Sequence, residues 1–212
     1  MTTRPAKCCK ACDYSALTIG GVFSVPSYLV SLPAPMPLIR SSRDEDLPAI
    51  TAIYAHHVLH GTGTFETEPP NEASMMARRA DVLSKGLPYL VAEHDGKVAG
   101  FAYGNWFKPR PAYRYSVEDS IYLAPDLQRK GLGRALMAEL LAQFEAVGIR
   151  KVMAIIGDSA NAGSVGIHQT FGFTQVGIVE SCGWKLGAWR DIVIMQKTLG
   201  VGDTQPPLAS TA

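Results

Sequence analysis

The chain has 212 residues, 47% of them hydrophobic, and its twenty basic side chains against nineteen acidic ones leave a net charge near +1. That length and apolar share fill one good core rather than two full domains. The near-neutral balance excludes the broad basic field on which nucleic-acid and anionic-membrane binders depend, so a small, locally recognised partner is expected.

Residues 1–37 differ in texture from the rest. The stretch "IGGVFSVPSYLVSLPAPMP" holds six glycines and prolines, and Asp13 is the single acid of the segment. Pro26 interrupts the apolar run that a secretory signal would need, and the run is too short for a transmembrane helix. The segment is read as a disordered extension, with "MPLIRSS" at Met36 as a natural beginning. "PLIRSS" then reads as a first strand. "DEDLPAITAIYAHHVLHG" opens with acids, spaces Leu47, Ile50, Ile53, Tyr54 and Val58 for one helix face, and closes at Gly61. "NEASMMARRADVLSKG" predicts a second helix that stops at Gly86.

"PYLVAEHDGKVAGFAYGNWF" predicts a hairpin turning at Asp95-Gly96, and "YRYSVEDSIYL" a fourth strand. A helix follows with Leu136, Leu140, Leu141 and Phe144 on one side, then "KVMAIIG" as a buried strand and a short helix from about Asn161 to Phe171. "TQVGIVESCGWKL" and "WRDIVIMQKT" predict two closing strands, and "GVGDTQPPLASTA" a flexible tail over 199–212. Strands outnumber helices and flank them, which gives an α+β domain over 38–198 with a mixed central sheet.

The chemistry-bearing stretch is the turn before the third helix. In "QRKGLGR", glycines at 131 and 133 let backbone N–H groups converge, and the helix start adds partial positive charge. That is an anion site suited to a pyrophosphate, although a purely structural turn has the same outline. A P-loop would need a lysine and a hydroxyl where Arg134 stands, and a dinucleotide fingerprint would need a third glycine and an acid after the next strand, which ends at Ile156-Gly157.

"QRKGLG" resembles the acyl-CoA signature of the GNAT N-acetyltransferase superfamily, and "NAGSVGIHQTFGF", about thirty residues on, resembles its second signature. "TGTFETEPP", "SVEDSIYLAP" and "GWKLGAWRDIVIMQ" resemble the phosphinothricin and methionine sulfoximine/sulfone N-acetyltransferases within it, over nearly all of 38–198. The resemblance implies a GNAT fold, a mostly antiparallel sheet whose fourth and fifth strands splay apart, flanked by about four helices. It implies acetyl-CoA as cosubstrate, no metal, and a cytoplasmic homodimer.

It also implies roles. Arg129, Lys130, Gly131, Leu132, Gly133 and Arg134 would hold the pyrophosphate through their amides. Backbone groups of Ile121, Tyr122 and Leu123 would pair with the pantetheine arm, with Asn161 and Ser164 beside it. Glu118 matches the proposed base that takes a proton from the acceptor amine; the alternation of a regular strand turns Asp119 to the opposite face, so only one of the two should face the cleft. His168 would donate to the leaving sulfur or itself serve as the base. Lys108 and Arg110 would attract a carboxylate or phosphinate, with Phe65, Trp106 and Tyr113 as apolar walls. Where the family has an acidic residue, "PAYRY" places Arg114.

Other features carry less. Cys9 and Cys12 have half-site spacing but no second pair, and read as free thiols with Cys8. His56 and His60 lack the glutamate and third ligand of a zinc site. Trp184 and Trp189 bracket a turn and read as core or dimer contacts. Cys182 has no base adjacent in sequence, so a direct transfer in a ternary complex is expected over a covalent acetyl carrier. Two rival readings stay open: acetylation of a protein N-terminus or lysine, which predicts an open acidic groove in place of the basic aromatic loop at 106–114, and a non-catalytic acetyl-CoA binder, which would dispense with Glu118 and His168.

Overall fold

The computed structural model describes residues 37–207; the expectations for Cys8, Cys9, Cys12 and the N-terminal extension lie outside the described residues. Strands β1 (Leu38–Ser41), β2 (Tyr89–His94), β3 (Lys97–Trp106), β4 (Ser116–Leu123), β5 (Lys151–Gly157), β6 (Thr174–Lys185) and β7 (Ala188–Thr198) form one sheet in the order β1-β2-β3-β4-β5-β7-β6. Helices α1 (Leu47–His60), α2 (Glu72–Ser84), α3 (Leu132–Ala146) and α4 (Ala162–Thr170) cover it. This is the α+β arrangement expected, and each element falls close to where the hydrophobic period placed it.

The β4–β5 pair is parallel and all other pairs are antiparallel. It is also short, running only from Ser116↔Lys151 to Glu118↔Met153. Beyond that point β4 stays laddered to β3 as far as Leu123↔Gly100, and β5 to β7 as far as Gly157↔Ile192. Residues 119–123 and 154–157 therefore face each other across a gap.

The pleat assigns residues to two faces. Gly104 of β3 faces α3, where a Cβ would come 2.3 Å from the Phe144 ring, and its cross-strand partner Asp119 shares that face. Tyr122 of β4 lies under α1, with ring centroids 5.0 Å from Tyr54 and 5.2 Å from Phe101. By alternation Glu118 and Ser120 face the α1 side with Tyr122, while Ile121 and Leu123 face α3 with Asp119.

The core is continuous across the sheet. Leu47, Ile50, Ile53, Tyr54 and Val58 of α1 are all buried, as are Leu136, Leu140, Leu141 and Phe144 of α3. The chain expected to fray from 199 is packed at its start: Leu199 is buried, its N–H donates to Arg150 O at 3.0 Å, and the Arg150 guanidinium donates to Gly202 O. Trp184 and Trp189, 60% and 62% exposed, do not enter the core of this chain.

Phe144 is fully buried against a glycine that leaves no slack. Phe144→Ala is expected to lower unfolding free energy by about 3–5 kcal/mol, measured by urea denaturation.

Candidate active site

A cavity of about 1110 Å³ occupies the gap between β4 and β5, lined among others by Phe65, Glu118, Asp119, Tyr122, Gly131, Asn161 and His168. A second, of about 500 Å³, lies between α2 and strands β3 and β4, lined by Arg78, Asp81, Asn105, Trp106 and others. Tyr103, Glu118 and Ser120 border both. Glu118 and Asp119 both border the larger cavity, but the Asp119 side chain is closed off against His168, in keeping with the alternation that turns its carboxylate to the opposite face.

The turn before α3 has the form the anion reading requires. Arg129 (φ 60°) and Gly131 (φ 82°) are left-handed, and Gly131 is the N-cap of α3 with no side-chain capping bond. The first amides of the helix are thus left for an anion, with the helix dipole behind them. Arg129, Gly131, Gly133 and Arg134 line the cavity; Lys130 points to solvent, and the Leu132 side chain is buried in the core.

Along the gap, Ala124 N–H donates to Ala99 O at 2.9 Å and sets the phase of the β3–β4 ladder. Tyr122, two residues earlier, then turns its N–H and C=O to β3, while Ile121 and Leu123 turn theirs to the gap. Leu123 O accepts from His57 Nε2 at 2.8 Å, so Ile121 carries the freer edge groups. Burial pulls the His57 imidazole below its usual value, in keeping with a neutral ring donating to a carbonyl.

On the α3 face, His168 is held at both nitrogens. Nδ1–H donates to Ser164 O at 2.7 Å, and Nε2 lies 3.0 Å from Asp119 Oδ2. Both partners carry acceptor oxygens, an arrangement that favours a ring protonated at both nitrogens. Burial pulls His168 down, but the Asp119 hydrogen bond and charge, with the Ser164 carbonyl, outweigh it and raise the imidazole above its ordinary value. To give a proton to a thiolate, the ring has to release one of these bonds. Asn161 caps α4 by accepting from Ser164 N–H at 3.2 Å and also lines the cavity.

On the other face, burial raises Glu118 above the usual carboxylate range, the Asp119 charge adds to the rise, and the Lys108 cation opposes it. Of the residues expected at the acceptor end, Phe65 lines the larger cavity and Trp106 the smaller. Lys108 and Arg110 are exposed, and neither they nor Tyr113 line either cavity. Arg114 is exposed and stacks over Tyr115 at 4.6 Å.

Comparison with known proteins settles the family. The model of the acetyltransferase (GNAT) family matches residues 50–173. The chain belongs to the GNAT acetyltransferase family. It is 52% identical over 169 residues to a phosphinothricin N-acetyltransferase of Alcaligenes faecalis, covering 80% of this chain and 86% of that one. To an L-methionine sulfoximine/L-methionine sulfone acetyltransferase of Salmonella typhimurium it is 36% identical, covering 76% and 94%. A crystal structure of a phosphinothricin acetyltransferase from Sinorhizobium meliloti in complex with acetyl-CoA superposes with a TM-score of 0.80 at 40% identity, over 82% of this chain and 94% of that chain.

This GNAT enzyme is an acetyl-CoA-dependent N-acetyltransferase. The residues present fit the donor: an uncapped helix start for a pyrophosphate, and a gap edged by backbone groups for an amide-bearing arm. Among the described residues no cluster of side chains could hold a metal ion, and no helix is long and apolar enough to cross a membrane. Sequence reading missed Asp119, whose partner is 49 residues away, and the cavity-lining Tyr103 and Cys182.

His168→Ala leaves the Asp119 carboxylate buried without its cation and should cost about 3–5 kcal/mol near pH 6. The raised imidazole contributes fully below its unfolded value and is lost as pH rises through the folded one, so the gap between wild type and variant should narrow by about pH 9. Urea unfolding of both proteins at the two pH values checks it.

Proposed function

We propose that this enzyme acetylates the primary amine of a small amino acid or analogue, of the phosphinothricin, methionine sulfoximine or methionine sulfone kind, by direct attack in a ternary complex. The observation that carries the reading is that Glu118 borders both cavities. A carboxylate there stands between a donor site in the gap and an acceptor entering from the α2 side. The activities named for the relatives from Alcaligenes faecalis and Salmonella typhimurium support the acceptor class.

In this reading the amides of 129–134 hold the pyrophosphate and the edge groups of Ile121 and Leu123 line the pantetheine arm, near Asn161 and Ser164. Acetyl-CoA supplies an activated acetyl group as a thioester. An α-ammonium has a reference pKa near 8 and cannot attack while protonated, so Glu118 takes its proton. Its raised affinity for protons, produced by burial, suits that task better than an ordinary surface carboxylate would. The Asp119–His168 pair on the opposite face stands as the proton source for the departing thiolate. Lys108, whose charge is felt at Glu118, acts as an electrostatic neighbour of the base and, with Arg110, draws an anionic acceptor to the mouth.

The exposed Trp184 and Trp189 rings, 5.5 Å apart at the tip of the β6–β7 hairpin, join exposed Leu186 and the edge-strand residues Val176, Ile178 and Val179. An apolar edge of this kind calls for cover, and a second copy of the chain is its proposed occupant. The reaction is assigned to the cytoplasm, where reduced thiols such as Cys182 persist.

Glu118→Gln should lower kcat/KM for methionine sulfone by about 100- to 1000-fold, with acetyl-CoA binding retained. Because the base must be ionised, the acid limb of the wild-type pH profile should lie above the ordinary carboxylate value of about 4.3, and Lys108→Met should move it higher. A full-speed Glu118→Gln enzyme would remove the base from this account. Trp184→Ser with Trp189→Ser should shift the protein from dimer to monomer in light scattering.

A further inference from the structure

Lys185 ends β6 between two exposed residues, Trp184 and Leu186, yet is itself 4% exposed. A buried ammonium has to find acceptors. This one donates to Thr64 O at 2.5 Å, in the connection between α1 and α2, and reaches His57 O at 3.5 Å, in the last turn of α1. The latter carbonyl sits at the negative end of the helix dipole, where a cation is favoured. Burial pulls the ammonium below its usual value and the Glu66 carboxylate pulls the other way.

The same connection is seated on two glycines of the far half of the sheet. A Cβ at Gly157 would lie 2.0 Å from Thr62 O, and one at Gly183 2.4 Å from the Phe65 ring. Any side chain there would lift the connection off β5 or β6. Gly61, Thr62, Gly63, Thr64 and Phe65 all line the larger cavity. His57 extends the tie in the other direction, through its ring to Leu123 O of β4. Lys185, His57 and the connection thus span the gap between β4 and β6 on the face where Glu118 stands.

We propose that Lys185 is a positioning residue for the acceptor: its buried ammonium pins the 61–66 connection to β6, holding it over Gly157 of β5 and fixing Phe65 and the threonine backbone as a wall of the cavity that Glu118 borders. The idea rests on the small-acceptor reading above. A lysine suits the task because one ammonium can serve two carbonyls, and among the described residues Lys185 is the side chain that donates to both. A wall held in this way sets where the amine comes to rest relative to Glu118, and small misplacements at a reacting centre cost large factors in rate or binding.

The test compares wild type with Lys185→Met, which removes the pin, and Gly183→Ala, which pushes Phe65 while leaving the pin in place. Steady-state kinetics with methionine sulfone, calorimetric binding of acetyl-CoA and amide hydrogen exchange are read on each. Both variants should raise KM for methionine sulfone about 10-fold with acetyl-CoA affinity within about two-fold. Lys185→Met should also speed exchange across 61–66 about 10-fold or more while α3 keeps its protection. A folded Lys185→Met enzyme with unchanged KM, or with unchanged exchange in 61–66, overturns the proposal. So does a loss confined to thermal stability and kcat, the pattern of a merely structural residue. A wild-type enzyme that turns over no amino-acid analogue would instead sink the functional reading, and exchange rates and acetyl-CoA affinity, which need no acceptor, tell the two failures apart.

Discussion

Backbone donors and acceptors inside a sheet have to be paired, and along one seam of this protein they are not paired by the sheet. β4 keeps its ladder to β3 and β5 its ladder to β7, but the two meet over three residue pairs and then diverge. An interior edge left open in this way favours an extended, amide-bearing occupant. The pantetheine arm of acetyl-CoA has that character. The uncapped start of α3 lies at the same cavity, where an arm entering the seam would leave its pyrophosphate.

The seam also turns the pleat into a division of labour. Glu118 and Asp119 are neighbours in sequence, yet one faces α1 and the other faces α3 and α4, where its side chain is closed against His168. The two carboxylates are held in different surroundings. Glu118 is held above the usual carboxylate range by burial, with no cation bonded to it. Asp119 is instead paired through Oδ2 with His168, which is fixed at both nitrogens, while its Oδ1 is buried without a partner. On the Glu118 face, His57 and Lys185 carry hydrogen bonds across the opening and keep the two halves in register.

Local rules made much of this legible in the sequence. The apolar spacing of α1 and α3, the Asp95-Gly96 turn and the glycines at 131 and 133 each act within a few residues, so element order, boundaries and the glycine-bearing turn before α3 could be read directly. Features set by distant contacts could not. Asp119 was turned away from the cleft by alternation alone because its partner lies on α4, and nothing local marks Lys185 as buried because the carbonyls that hold it belong to α1 and the following connection. Lys108 and Arg110 were legible as charges but not as positions, since a proline-rich loop gives no period from which to place them. Trp184 and Trp189 read equally as core or contact residues until the sheet order put β6 at an edge.

The account depends most on the seam being the place where donor and acceptor meet. A crystal structure of the enzyme with CoA and methionine sulfone tests that directly. The account predicts the pantetheine arm along Ile121 and Leu123, the thiol in the gap with Asp119 and His168 on one side, and the acceptor amine within hydrogen-bonding reach of Glu118 on the other. CoA bound with its arm outside the gap, or an amine remote from Glu118 and held by another base, would contradict it.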